Sequence, residues 1–430
     1  MNSSEQKLVR AIALPGIIAL TINGIIGAGI FALPANIAKL LGVTSPLAFA
    51  IAGLVTAIIV LCFAELGGKF DRTGGAYLYA SKAFGEGIFA FLIGWMYLLA
   101  RITSTAALSN AMIGFVGYFF PIGPQIRIVF LIILFVLLGV ANYTGIRFSS
   151  RLINILTVAK MLPLLLFIVA GLFFVHWESY AQIVTPPLHD MTTALLIVMF
   201  AFTGFEVIAV PGAEIIEPRR TLPLGLLLGT GITIVVYILI QIVAVGVLPG
   251  IGNSQSPLAE AAQAFMGRKG AALLTAGAVC STIGTLTALL LVAPRILYAM
   301  ALRGQMPQLF SAIHAKHRTP HVAILFCTVF SCIVSLAGSF TLLATLSAIA
   351  RLLTYIGSAI ALIVLRRKMP SADTFQVPGG LTAPVLTVLL SLFLLTATNR
   401  THWLTGSIAL ALGLLLYFLR PRILAAEEHG

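Results

Sequence analysis

The stretch Asn23-Gly24-Ile25-Ile26-Gly27-Ala28-Gly29-Ile30-Phe31-Ala32-Leu33-Pro34 interrupts an apolar segment that begins near Leu14. Three glycines and a proline make a poor helix. Glycine costs about 1 kcal/mol relative to alanine at an interior position, and proline about 3. In hydrocarbon, unpaired backbone is costly enough that irregular chain persists only where it lines a cavity or is buried in protein. The stretch therefore predicts a spanning helix broken near its centre, with a polar ligand at the break. Freed amides of Gly27, Ala28 and Gly29 would receive an anion such as a carboxylate, at the positive end of the half-helix that follows. The alternative is a close helix–helix contact through small residues.

The composition around this stretch belongs to a bilayer. Of 430 residues, 60% are hydrophobic and only 9% are charged, against roughly 25% charged in soluble domains. Apolar runs recur from end to end, and no polar segment is long enough to fold alone. Met1 to Arg10 is too polar for a signal peptide, and the first apolar run is too long for one. The net charge of +13 would suggest nucleic acid in a soluble chain. Here the basic residues fall in short loops and point to topology and lipid headgroups, with no nucleic-acid partner. Cys62, Cys280, Cys327 and Cys332 lie within apolar runs and read as core residues. The histidines lack metal-ligand spacing, so neither a metal nor an organic cofactor is expected.

Twelve spans follow, each long enough for a bilayer core of about 30 Å, which needs around 20 helical residues. They are Leu14–Leu40, Pro46–Phe70, Glu86–Phe119, Ile126–Asn142, Leu152–Val175, Met191–Ile215, Leu222–Leu248, Gly270–Leu302, His321–Gly338, Thr341–Leu365, Leu381–Thr398 and Trp403–Leu419. With the N-terminus inside, inner loops collect Lys7, Arg10, Lys69, Arg72, Arg219, Arg220 and the Arg366-Arg367-Lys368 run. Outer loops carry Lys39, Arg127, Arg268, Lys269 and Arg400. The asymmetry predicts both termini in the cytoplasm of a plasma (inner) membrane protein.

The sixth span breaks as the first does, at Phe202-Thr203-Gly204-Phe205-Glu206 ahead of Pro211-Gly212. Five spans separate the two breaks, so they enter from opposite sides. This predicts two five-helix repeats of inverted topology with a ligand near mid-bilayer between the broken helices. The organisation becomes a tail (1–13), a first repeat (14–175), a second repeat (190–366), two further helices (381–420) and a tail (421–430), in a monomer or weak homodimer.

Gly24-Ile25-Ile26-Gly27-Ala28-Gly29-Ile30-Phe31, with Pro34, resembles the first helix of the amino acid–polyamine–organocation superfamily. Ala64-Glu65-Leu66, Gly74-Gly75-Ala76-Tyr77 and Gly94-Trp95 are similar to its second-to-third helix segment. Phe202-Thr203-Gly204-Phe205-Glu206, Glu214, Glu217-Pro218-Arg219 and Pro223 are similar to its sixth helix and following loop. Arg295, Tyr298, Ala299-Met300, Gly304 and Pro307 match the end of its eighth. The resemblance implies an all-α LeuT-like fold and secondary transport of an amino acid. The chain departs from the pattern at Asp71, where proline is usual, and at Gly284, where asparagine is common. Arg101 and Arg351 are outside the pattern.

By this resemblance the first break binds the substrate α-carboxylate, and carbonyls of both breaks hold the α-amino group. The implied residues are Ile25, Gly27, Ala28 and Gly29, with Phe200, Ala201, Phe202, Thr203 and Gly204. Phe205 is a candidate gate. Lys160, nine residues past Arg151, sits roughly 13 Å into the membrane at 1.5 Å per residue, where a charge is functional by default. It resembles a lysine that replaces sodium in some members. There it would bind carbonyls of the first break and eighth-helix hydroxyls, here Ser281 and Thr282, and could release its proton during transport. Glu206 is expected to pair with Lys160 or a mid-span arginine, to take up a proton, or to bond unwound backbone. Arg101 and Arg351 would pair with Glu206, ahead of the alternative of binding an acidic substrate. Glu65, near an inner end, is read as a latch to a loop arginine.

The leading expectation is a proton-coupled symporter or sodium-independent exchanger, driven by a proton gradient or a counter-substrate. An exporter or exchanger of an acidic amino acid or amine is the alternative. A membrane-embedded enzyme would need clustered acids, histidines or a metal motif, none of which is present in the sequence. A channel would form pore rings in an oligomer rather than carry an internal repeat.

Overall fold

Apolar side chains in this chain face outward as well as inward, so length and interruption locate the helices better than periodicity does. The computed structural model describes residues 13–70, 75–144, 150–181, 185–207, 215–369, 375–398 and 400–419. Asp71, Arg147, Pro211 and Glu214 lie outside these residues, as does the side chain of Asn154.

The described residues form fourteen α-helices and no β-strand. The first two are short: α1 (Leu14–Ile25) and α2 (Gly29–Leu41). Then come α3 (Ser45–Lys69), α4 (Gly75–Phe84), α5 (Ile88–Gly117), α6 (Pro124–Tyr143), α7 (Ser150–Gly171) and α8 (Leu188–Ala201). The chain continues through α9 (Pro218–Val247), α10 (Pro257–Leu302), α11 (His321–Ala337), α12 (Phe340–Lys368), α13 (Thr382–Thr396) and α14 (Arg400–Leu419). Among the described residues, six stretches are long and apolar enough to cross a membrane. Helix α6 shows the character of the outer surface, exposing Val129, Ile132, Val136, Leu137 and Val140.

Two elements differ from the sequence expectation. Helix α10 starts at Pro257 rather than near Gly270, and bends where Gly267 takes φ 64°. Helix α4 is an extra element between the second and third expected spans. At 10 residues it is too short to span, yet Tyr77, Leu78 and Tyr79 are buried.

Helix α5 packs against α12 and α10, α3 against α9, and α1 along α9. The last contact explains why α9 carries glycine on one face. A Cβ on Gly225 would come 2.3 Å from Ile17, and one on Gly229 would come 2.5 Å from Thr21. Bare backbone there lets α1 lie directly on α9, which brings the end of α1 to Tyr237.

Candidate functional site at two helix breaks

Helix α1 stops at Ile25, and α2 begins at Gly29. Between them Ile26 takes φ −72°, ψ 88°. The Gly27 amide donates to Ile25 O at 2.8 Å, the bond of an inverse γ-turn. Gly27 therefore does not offer the free amide expected of it. Its amide closes the turn, while the amides of Ala28 and Gly29 make no hydrogen bond among the described residues. Ala28 O starts the next helix, accepting from Phe31 N at 3.1 Å and Ala32 N at 3.2 Å. The positive end of α2 thus begins inside the protein with bare donors. Thr285 lies beside Gly27, where an added Cβ would meet its Oγ1 at 3.2 Å.

The second break follows Ala201. Thr203 donates to Phe200 O from its amide at 3.3 Å and its hydroxyl at 2.7 Å. Gly204 takes φ 120°, a conformation that L side chains rarely adopt. Its amide donates to Glu206 Oε2 at 2.9 Å.

The two breaks touch. A Cβ on Gly204 would lie 2.1 Å from Gly24 O, and one on Gly29 would lie 3.2 Å from Ala201 Cα. Tyr237 sits across both, its hydroxyl 3.0 Å from Ile25 O and 3.2 Å from Ala201 O. One turn on, Gln241 donates to Pro34 O at 3.2 Å and to Ser45 Oγ at 2.8 Å. Neither α9 residue was singled out from the sequence. The available signal was two polar side chains four apart in an apolar helix, hence on one face.

Lys160 donates to Asn23 O at 2.7 Å and Ile26 O at 2.5 Å. These carbonyls belong to the end of α1 and to the break. Carbonyls there lack intrahelical partners, and the helix dipole favours a cation. Thr282 instead donates to Ala278 O at 2.6 Å. The Ser281 hydroxyl is buried without a hydrogen-bond partner among the described residues.

Glu206 does not meet Lys160. It bonds Arg101 Nη2 at 3.0 Å and also Arg351 Nη1. All three side chains are almost completely buried. Arg101 also donates to Tyr97 Oη at 2.6 Å, and Arg351 donates to Ser104 Oγ at 2.8 Å. Phe205 packs edge-on to Phe63 at 5.5 Å and lies 5.7 Å from the Tyr355 ring. Phe200 meets Phe340 at 6.1 Å, and buried Phe202 meets the Tyr237 ring at 5.0 Å. Glu65, farther along α3, takes both Nε and Nη2 of Arg366, at 2.8 and 2.5 Å, and the Val377 amide at 2.8 Å. A carboxylate facing the fork of a guanidinium makes a directional clamp.

A cavity of about 590 Å³ lies away from the breaks. Its walls include Gly117 at the end of α5 with Arg127, Ser256 and Glu260. Ser256 also lines a void of about 10 Å³ walled by Phe31 and Phe115, whose rings meet edge-on at 6.3 Å. That pair leads from the cavity toward the start of α2.

The sequence profile of amino acid permeases matches residues 12–413, nearly the whole chain. The chain belongs to the amino acid permease family. This permease is 28% identical to the branched-chain amino acid permease BcaP of Bacillus subtilis, over 98% of this chain and 95% of that protein. It is 27% identical to the serine/threonine exchanger SteT of the same organism, over 96% of this chain and 97% of that protein. It is 29% identical to cationic amino acid transporter 4 of Homo sapiens, over 88% of this chain and 63% of that protein. These relatives differ in the amino acids they are named for yet stand at nearly equal identity, so identity alone does not choose a substrate. Family and helices together make the permease a multi-pass membrane protein of amino acid transport.

Proposed function

We propose that this permease is a secondary active transporter that binds the backbone of an amino acid between its two helix breaks. The carrying observation is that the amides of Ala28 and Gly29 make no hydrogen bond among the described residues, and that Gly29 packs on the end of α8, where an added Cβ would lie 3.2 Å from Ala201 Cα. The start of α2 is a positive helix end, and the end of α8 is a negative one. A zwitterion presents the matching charges, its carboxylate to α2 and its ammonium to the carbonyls of α8. Reading main chain with main chain suits a substrate whose two ends are constant. Small Ala201 and Thr203 leave room for its side chain.

The same reading makes twelve spans, with α1 and α2 forming the first, α8 opening the sixth, and α4 lying outside the count. The first ten form two inverted repeats, with both termini in the cytoplasm of a plasma membrane. Contact of the breaks at Gly24 and Gly204 supports this arrangement. Lys160 replaces a sodium ion at the end of α1. Its loss or gain of a proton, or exchange against a counter-substrate, drives the cycle. Phe31 and Phe115 close the path from the larger cavity, and the Glu65–Arg366 clamp closes the opposite end.

The test is counterflow of the twenty amino acids in proteoliposomes, alongside thermal shift of the purified protein. At least one amino acid should exchange and also raise the melting temperature, because a ligand stabilises the state it binds. Gly204→Ala should abolish both responses, since its methyl group would collide with Gly24 O. No exchange and no thermal shift with any amino acid would end the proposal.

A further inference from the structure

Among the described residues, the cluster around Glu206 holds one positive charge too many. Arg101 and Arg351 both reach this carboxylate, and guanidinium stays protonated in proteins. Tyr97 and Ser104 from α5, Ser347 and Tyr355 from α12, Phe63 from α3 and the Gly204 amide complete the surroundings. None of these supplies a second negative charge, and no other acid among the described residues pairs with either arginine. Two cations and one anion are therefore sealed inside, with Arg101 0% exposed and Glu206 1%.

The same place has hydrogen-bond donors to spare. Arg101 Nε and Nη1 are buried without a hydrogen-bond partner among the described residues, although the guanidinium carbon lies 4.6 Å over the Tyr97 ring, and the Tyr355 hydroxyl likewise has no hydrogen-bond partner there. Tyr355 lies one helical turn past Arg351 on α12, with its ring 5.7 Å from that of Phe205, the neighbour of Glu206. The two unmatched quantities agree in sign, since the cluster lacks negative charge and its free groups on Arg101 are donors. A water molecule would accept the hydrogen bonds but leave the charge. An apolar group would do neither. A buried charge left uncompensated is strongly disfavoured, and fixed guanidinium forks suit anionic oxygens or a halide.

We propose that Arg101, with Tyr355 as a further donor, binds a small monovalent anion beside Glu206. Two sources offer this chemistry: free chloride, or the side-chain carboxylate of an acidic amino acid carried as substrate. The proposal rests on the transport reading only for the second source. Because Gly204 links Glu206 to the second helix break, the anion sits next to the substrate site and would be coupled to it.

The experiment uses purified full-length protein in detergent and in proteoliposomes. In the first arm, sodium chloride is compared with sodium gluconate for melting temperature and for counterflow of a neutral amino acid. In the second, glutamate and aspartate are tested in gluconate for melting temperature and counterflow. A free-ion site gives a higher melting temperature in chloride, with neutral counterflow faster by at least about fivefold, the lower end of ordinary coupling between sites. A substrate-carboxylate site gives chloride-independent exchange of glutamate or aspartate. Tyr355→Phe should weaken whichever response is found. Arg101→Lys, which keeps the charge but loses the fork, should weaken it further, and either variant suffices if the other does not fold. Indifference of the wild type to chloride and to both acidic amino acids overturns the anion site, and so does a response that both variants keep in full. Neutral counterflow that persists under that indifference leaves the transport proposal standing. A chloride-raised melting temperature with neither exchange of nor thermal shift by any amino acid supports the site while removing the transport proposal.

Discussion

Lys160 and Arg101 are both buried cations in one helical bundle, held in opposite ways. Lys160 rests on two main-chain oxygens at the end of α1, with no acid paired to it among the described residues. Arg101 rests on a carboxylate that it shares with Arg351. Partial charges at a broken helix end hold the first, and a full charge holds the second. Releasing Lys160 leaves two carbonyls unsatisfied. Separating Glu206 from the arginines leaves full charges buried. The first contact suits a step that must reverse in every cycle, and the second suits a fixed post around which the break is built.

The largest expected effect follows from this difference. Glu206→Gln keeps the shape but leaves two guanidiniums facing a neutral amide. Breaking one side of a buried ion pair costs about 3–5 kcal/mol, so thermal or denaturant unfolding in detergent should shift far toward the unfolded state. A variant as stable as wild type would erase the contrast, because the cluster would then not depend on its carboxylate.

Lys160→Met comes next. Removing the ammonium leaves Asn23 O and Ile26 O without their donor, at about 1–3 kcal/mol for each buried acceptor left unsatisfied, but it also removes a buried charge together with its desolvation cost, whereas Glu206→Gln leaves two charges behind. The loss of stability should therefore fall below that of Glu206→Gln, while counterflow or proton-driven uptake falls to background. Unchanged uptake with unchanged pH dependence would remove Lys160 from the mechanism.

What could be read in advance divides along the same line. The interruption of the first helix was legible because glycine and proline act through local backbone energetics, which Gly24 to Pro34 display in the sequence itself. Pairing of Glu206 with Arg101 and Arg351 was legible because charges at membrane depth must find one another. The turn at Ile26 was not legible. Whether the Gly27 amide faces a ligand or folds back on Ile25 depends on two torsions that no residue type fixes. The start of α10 was missed because Glu260, Arg268 and Lys269 interrupt the apolar run while its helix continues across the bend at Gly267. Helix α4 was missed because it is buried by tertiary packing without being long enough to span. Tyr237 was missed because a tyrosine in an apolar helix is ordinarily core or interface, and only the approach of α1 gives its hydroxyl two carbonyls.

Tyr237→Phe provides the smallest and most discriminating effect. Its hydroxyl has one proton and two acceptors, Ile25 O and Ala201 O, one from each break. It can donate fully to only one at a time, so the bond is shared. The ring stays in the variant, and with it the packing against Phe49 and Phe202. Only the shared hydrogen bond is lost, worth about 0.5–1.5 kcal/mol net, and the melting temperature should fall slightly. If both breaks hold the substrate, the effect on transport should exceed the effect on stability, because the oxygens that Tyr237 positions are the ones that would receive the ammonium. Apparent affinity in counterflow should weaken while the cluster around Glu206 keeps its response to chloride or acidic amino acids. Equal losses in both would mean that the break and the cluster act as one unit, and that the contrast between Lys160 and Arg101 has no functional consequence.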